Sequence, residues 1–305
     1  MSAAPPFKSG FVAVIGRPNA GKSTLVNALV GSKVAIVTPV AQTTRNRILG
    51  IVNRPHAQIV FMDTPGIHRP LHHLNEQMML CVRESLQDRD LVLFIVDAAA
   101  SFGQGDQFAI SLLSEYHPRA LLLLNKIDRI RKTSLLPLMD RYSKLYSFEA
   151  LIPISALSGE GLETVLDCVT KVLPEGPRYF PADLYTDQTE RFLAGELIRE
   201  KVIQATREEL PYATAVMVEE FNERPGLTRI RARIVVEKES QKPILVGAGG
   251  MRIKQIGTEA RCELEKIFPP KVFLQLRVEV EPNWRNDHAL LAQLGYGSET
   301  MRPAR

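Results

Sequence analysis

The sequence predicts an α/β domain, a mostly parallel sheet with helices on both faces, followed by a smaller α+β domain. Three observations carry this. Short, wholly apolar runs alternate with helical patterns through the first half of the chain. A stretch with Pro174, Pro177 and Pro181 then breaks the alternation. Beyond it the pattern changes to helix, two strands, helices and a strictly alternating strand. The 305 residues suit about two domains of ordinary size. The expected boundaries are 1–174, a linker over 175–187, and 188–305 with a C-terminal tail.

The elements follow in order. "FVAVIG" (11–16) is an apolar strand and 24–30 reads as a helix. "QIVFMDTPG", "LVLFIVDA", "ALLLLNKID" and "LIPISA" are further buried runs, each followed by turn residues, with helices such as 75–85 and 107–115 between them. Strands alternating with helices imply a parallel sheet covered on both faces, and ligands of such sheets bind beyond the strands' carboxyl ends. In the second half, 188–206 reads as an amphipathic helix. "TAVMVEEF" and "TRIRARIVVEK" are strands joined by the "NERPGL" turn, and a short helix precedes "GAGG". A helix to about 267, the strand "KVFLQLRVEV" and a short helix over 286–295 complete the pattern, and residues 296–305 are expected to fray.

Composition removes several classes. No apolar run approaches the roughly 18 residues of a membrane span. The first ten residues do not form a signal peptide. Cys81, Cys168 and Cys262 lie far apart, which fits a reducing compartment and neither a disulfide framework nor a zinc site. The net charge is +4, and no acid precedes Asp63 while seven basic residues do. That field suits a polyphosphate, though a basic solvated surface would look the same.

"GRPNAGKS" (16–23) sits between strand and helix and matches G-x-x-x-x-G-K-[ST]. Its glycines let backbone N–H groups approach phosphates, and the following helix N-terminus adds partial positive charge. Lys22 is expected to reach the β- and γ-phosphates and Ser23 to ligate Mg²⁺. "DTPG" (63–66) places Asp63 toward the same metal and the Gly66 N–H toward the γ-phosphate. "NKID" (125–128) supplies a carboxylate, Asp128, that accepts from both N1–H and the 2-amino group of guanine; adenine offers neither. Lys126 is expected along the base plane and Asn125 as a brace between loops. "SAL" (155–157) offers the Ala156 N–H to the guanine O6 beside Ser155. The nucleotide contacts expected are thus Gly16, Asn19, Ala20, Gly21, Lys22, Ser23, Thr24, Asp63, Gly66, Asn125, Lys126, Asp128, Ser155 and Ala156.

A second glycine-rich loop, Gly247-Ala248-Gly249-Gly250, lies between two helices, with no Lys-Ser pair after it. Gly-x-x-Gly followed by Ile253 fits the KH module, whose loop clamps the backbone of about four single-stranded nucleotides. Arg252 and Lys254 supply charge for phosphates. Bases would lie between the following helix and the neighbouring strand, with Ile244, Val246 and Ile253 as an apolar floor or as ordinary core. One loop would hold GTP and the other RNA.

Together these motifs resemble the Era family of bacterial GTPases, within the TrmE–Era branch, over nearly the whole chain. The resemblance implies a P-loop GTPase domain followed by a KH domain of the bacterial type, with GTP/GDP and Mg²⁺ as ligands. It makes "QTTRNR" (42–47) the first switch, with Thr44 as a metal ligand and Thr43 as the alternative. Lys22, Thr44, Gly66 and Asn19 are then the catalytic set. Ile67 stands where Ras-like proteins carry the water-orienting Gln, so slow hydrolysis is expected. Asn19 matches the P-loop Asn that helps hold K⁺ in potassium-activated relatives; it could equally just suit the loop's backbone. The implied partners are the 3′ end region of small-subunit (16S) ribosomal RNA and the 30S subunit during assembly. The implied protein is a cytoplasmic monomer, with peripheral inner-membrane contact left open. His68, His72 and His73 read as a solvated switch loop rather than a metal site. Three rivals stand beside this: a P-loop kinase acting on a small molecule, an RNA-binding adaptor whose nucleotide is structural with negligible turnover, and a two-GTPase relative with a KH-like end, against which the single P-loop argues.

Overall fold

The computed structural model describes residues 6–68, 70–268 and 271–296. The first half contains, in order, β1 (Lys8–Ile15), α1 (Lys22–Val30), β2 (Ile48–Arg54), β3 (Ala57–Asp63), α2 (His73–Gln87), β4 (Leu91–Asp97), α3 (Gln104–Tyr116), β5 (Ala120–Asn125), α4 (Leu135–Ser143), β6 (Ala150–Pro153) and α5 (Leu162–Val172). The sheet order is β2-β3-β1-β4-β5-β6. β3, β1, β4, β5 and β6 run parallel and β2 is antiparallel to β3. The central runs are apolar throughout because both faces are covered. Val12, Val14, Leu93 and Ile95 pack in one layer, and Ala13, Ile15, Phe94 and Val96 in the other.

β2, an edge strand, has no counterpart among the expected elements. Gly50 lets α1 lie close, since a Cβ there would come within 2.8 Å of Val26 and Val30. The proline-bearing stretch also differs from the expected linker, because it is laid along the first sheet. Gln58 accepts from the Tyr179 and Phe180 amides at 2.8 and 3.0 Å, and Ile51 N–H donates to Tyr185 O at 2.9 Å.

The second half contains α6 (Glu190–Ala205), α7 (Leu210–Ala213), β7 (Ala215–Arg224), β8 (Leu227–Val236), α8 (Lys242–Val246), α9 (Met251–Leu264), β9 (Val272–Val280) and α10 (His288–Gln293). Its sheet is β7-β8-β9, with the first pair antiparallel and the second parallel. α6 is not amphipathic as expected. Leu193, Leu197, Ile198 and Val202 are buried, and so are Glu196, Arg199 and Glu200 on its other side. The reason is position: the segment before β2 covers the side that would otherwise face water.

Tyr296, expected to fray, is 4% exposed and donates its N–H to Leu291 O at 2.8 Å. It packs with Trp284, Leu291 and Leu294 against Leu74 and Met78 of α2. Residues 297–305 lie outside the described residues.

Candidate functional site

The loop between β1 and α1 is shaped by close approach. A Cβ on Gly16 would lie 2.3 Å from Ile95 O, at the end of β4. Gly21 has φ 101°, and a Cβ there would meet Asn125 Nδ2 at 2.3 Å. Asn19 also adopts positive φ, 61°, which supports the plainer account of its choice, and its Nδ2 donates to Pro39 O at 2.9 Å. Lys22 is buried and donates to Gly16 O and Arg17 O, both at 3.1 Å. Burial lowers its pKa to about 8, against an opposing pull from Asp63. A polyphosphate in the loop would pull that pKa back up.

Three oxygens meet beside it. Ser23 Oγ donates to Asp63 Oδ2 at 2.6 Å and lies 2.8 Å from Thr44 Oγ1, which donates to the same carboxylate oxygen at 3.4 Å. Asp63 Oδ1 is buried without a hydrogen-bond partner. Burial pushes the Asp63 carboxyl up to about 6, although Ser23, Lys22 and Thr44 all favour its charged form. Two hydroxyls around a buried carboxylate with an unpaired oxygen form the donor set a small hard cation takes. Mg²⁺ fits these residues. The structure also separates the two threonines. Thr43 Oγ1 is committed to Val40 O at 2.7 Å and Thr38 Oγ1 at 2.6 Å, whereas Thr44 faces the cluster.

The expected base end is built from three loops. Asn125 Nδ2 donates to Ala20 O at 2.8 Å, and its Oδ1 accepts from the Ala156 N–H at 2.9 Å. That amide therefore completes the brace, and a base oxygen would share it. Lys126, at φ 66°, donates to Asn19 O and to Asp97 Oδ2, each at 2.7 Å. Asp97 ends a strand that carries no recognised motif, so nothing in the sequence marks it. Ser155 Oγ donates to Asp128 Oδ1 at 2.6 Å and fixes the carboxylate. Thr24 and Gly66 line the cleft between loop and switch.

Gly66 lies against the loop, where a Cβ would be 2.8 Å from Pro18 Cα. Ile67 is 1% exposed, and its N–H donates to Gly16 O at 3.1 Å, so its side chain serves the core and not a water. His68 is not solvated as expected. Its Nδ1 is 2.6 Å from Gly66 O and its Nε2 2.8 Å from Asn75 Nδ2. His73 opens α2, and its ring lies 4.7 Å from that of His288, tilted by 37°. Among the described residues no group of three or more His, Cys, Asp or Glu could hold a metal ion.

The second loop sits between α8 and α9, as its spacing predicts. Gly247 is needed internally, since a Cβ would lie 2.8 Å from Arg252 Cβ. Gly249 and Gly250 have φ 56° and 79° with open space beyond them, which leaves room for another backbone. Ala248 is exposed at the tip of the turn. Arg252 folds back to donate to Ile244 O, so its charge is near the loop but its direction is set. Beside the loop a groove between α9 and β9 is lined by Ile253, Lys254, Thr258, Arg261, Leu274 and Leu276. Ile253 belongs to it, Ile244 is exposed elsewhere, and Val246 packs on the core. Leu274 and Leu276 have no signal in the sequence, because alternation marks a strand's faces and not which edge stays open; Arg261, on α9, belongs to no motif.

The 50S ribosome-binding GTPase family matches residues 11–126 and the KH domain family matches residues 209–285. GTPase Era of Syntrophus aciditrophicus is 51% identical over 292 residues, covering 95% of this chain and 95% of that protein. GTPase Era of Lacticaseibacillus paracasei is 46% identical over 295 residues, covering 96% and 98%. A crystal structure of Era with MgGDPNP and nucleotides 1506–1542 of 16S ribosomal RNA superimposes with a TM-score of 0.92 at 40% identity, covering 96% of this chain and 100% of that one. The structure of an Aquifex aeolicus Era variant bound to GDP·AlF4⁻ gives the same TM-score, identity and coverage.

Proposed function

The chain belongs to the Era family of GTPases, and from that premise we propose that it is a GTP-driven RNA-binding switch acting on the 3′ end region of 16S ribosomal RNA during 30S assembly. One observation carries the reading. A carboxylate placed to accept from guanine, Asp128, and an open Gly-x-x-Gly groove occur in one chain that its relatives match over 95% of its length. The division of labour follows residues 1–174 for nucleotide, 175–187 as a strap and 188–305 for RNA.

Hydrolysis proceeds by attack of water oxygen on the γ-phosphorus. The bond from that phosphorus to the β–γ bridging oxygen breaks, and the water's protons end on phosphate. Lys22 and the N–H groups of Gly21 to Thr24 stabilise charge on the transferred group. Ser23, Thr44 and Asp63 would hold Mg²⁺, which when bound would supply positive charge to the phosphates. Gly66 presents its N–H to the γ-phosphate. With Ile67 buried, no side chain at that position orients the water, so unassisted turnover is slow. Asn19 is the residue through which K⁺ would add positive charge. Equal turnover in K⁺ and Na⁺ would remove that part of the reading.

Bases enter the α9–β9 groove while Gly249 and Gly250 admit the RNA backbone. Among the described residues no helix is long and apolar enough to cross a membrane. The proposed site of action is the cytoplasm, as a monomer, with any inner-membrane contact peripheral.

The test is RNA affinity at fixed salt, using an oligonucleotide copying the 16S 3′ end, with the protein loaded with GDPNP or GDP. Tighter binding with GDPNP is expected. Equal binding together with undetectable turnover would favour an adaptor whose nucleotide is structural.

A further inference from the structure

Thr44 is the one member of the oxygen cluster carried outside regular structure. Ser23 sits in α1 and Asp63 ends β3, but the segment from 31 to 47 forms neither helix nor strand. Its placement must come from tertiary contacts, and both neighbours of Thr44 make them with the C-terminal half. On one side, the Thr43 carbonyl accepts from Nη2 of Arg199 in α6. Arg199 is fully buried and forked against Glu196, with Nε and Nη2 each 2.7 Å from a carboxylate oxygen.

On the other side, Arg45 enters a cage. Its Nη1 donates to Thr214 O at 2.7 Å, and its Nη2 donates to Tyr212 O at 3.1 Å and Pro211 O at 3.3 Å. The guanidinium lies 5.6 Å from the ring centroids of both Trp284 and Tyr296. Among the described residues Arg45 forms no ion pair, so direction and not charge neutralisation seats it, as a planar fork allows and an ammonium does not. The same segment is tied further by Val37 N–H to Glu200 Oε1 at 3.0 Å, by Asn46 Nδ2 to Gly295 O at 2.7 Å, and by Ile36 buried in the second half's core.

We propose that Arg199 and Arg45 are positioning residues for GTP hydrolysis, a two-sided clamp by which the RNA-binding half sets where the Thr44 hydroxyl stands. This rests on the reading of Thr44 as the switch threonine. The clamp makes α6 and the Trp284–Tyr296 cage part of the nucleotide site, although neither touches nucleotide. It serves only the triphosphate state, because GDP lacks the phosphate whose metal Thr44 would share. The clamp therefore raises the preference for GTP over GDP and leaves GDP affinity alone.

Full-length protein tests this directly, since Trp284 is the single tryptophan and stands in the cage. The variants are Arg45→Lys, Arg199→Lys and Thr44→Ala, read by equilibrium binding of GDPNP and GDP with Mg²⁺, by kcat, and by Trp284 emission. Each lysine variant is expected to keep GDP affinity and lose about tenfold in the GDPNP-to-GDP ratio, as for one charge-assisted hydrogen bond. Its kcat falls, and its emission no longer changes when GDPNP replaces GDP. A purely structural role would weaken both nucleotides together, and an unchanged ratio in both lysine variants overturns the clamp. If Thr44→Ala alone loses the preference, the clamp fails and the switch reading survives. If Thr44→Ala keeps it too, both fail. Tyr296→Leu removes one cage wall with both arginines in place. It is expected to shift the ratio the same way should a lysine variant not fold, and an unchanged ratio there also overturns the clamp.

Discussion

At the proposed base end of the cleft, Asp128 is the carboxylate expected to decide which nucleotide is accepted. Ser155 orients Asp128 through a 2.6 Å hydrogen bond, so two acceptor positions are fixed before the base arrives. In Asp128→Asn one acceptor becomes a donor that faces the guanine 2-amino group. GTP affinity should fall by about 100-fold or more, the loss of two hydrogen bonds to a charged group. Xanthosine triphosphate, with a carbonyl in place of that amine, should gain, as competition binding would reveal. His68 is a second decisive residue. Gly66 O can only accept, so Nδ1 carries the proton, and Nε2 accepts from Asn75. Burial lowers the His68 pKa below its ordinary 6.5. The folded state therefore binds fewer protons than the unfolded one, and this contribution to stability is present above 6.5 and lost as pH falls through the folded value. Hydrogen exchange at the Ile67 amide should accelerate as pH drops from 7 toward 5, after correction for intrinsic rates. His68→Gln, which keeps a donor and an acceptor, should abolish that dependence. The motif residues were readable because each follows an apolar strand in the order phosphate chemistry needs. Thr44 against Thr43 was not: two adjacent hydroxyls are identical in sequence, and only the turn that Thr43 closes on Val40 and Thr38 separates them.

Elements were legible where burial is symmetric and obscure where it is one-sided. β1, β3, β4 and β5 are apolar on both faces and announce themselves. β2 carries Gly50, Asn53 and Arg54 and lies at an edge, so its run looks like loop. α6 misled in the opposite sense, because charged residues at 196, 199 and 200 suggested a wet face that the first half in fact covers. The proline stretch reads as a linker from composition, yet β2 and Gln58 give it backbone partners. Gln58 is fully buried. Its Oε1 accepts two amides of the strap, and its Nε2 donates to Phe180 O at 2.8 Å and Asn53 Oδ1 at 2.9 Å. Gln58→Leu is close in volume but leaves those groups unmatched. A loss of about 2–4 kcal/mol is expected from urea denaturation followed by circular dichroism. Proteolysis at 175–187 should quicken in the native state, while guanine selectivity, proposed to be set beyond the carboxyl ends of β5 and β6, should stay.

For the whole molecule, the two halves are joined on two sides: Arg45 and Thr43 on one, Leu74 and Met78 of α2 on the other. If RNA favours the GTP-bound arrangement by some factor, GTP must bind the RNA complex tighter by that same factor, because the cycle closes. Salt separates this coupling from simple charge attraction. Lys254, Arg252 and Arg261 supply three positive charges around the loop and groove, and single-stranded RNA that neutralises three phosphates loses affinity with a slope of about −2 in log–log form. Raising salt from 50 to 200 mM should then weaken RNA binding by about 20-fold. The arginine contacts that transmit the nucleotide state are buried and little screened at those concentrations. The ratio of RNA affinities with GDPNP and GDP should therefore hold constant across the titration while both affinities fall in parallel. Calorimetric titrations at four salt concentrations would read both quantities. A ratio that collapses with salt would mean that the nucleotide's own charge reaches the RNA through solvent, and that the buried contacts carry nothing between the sites.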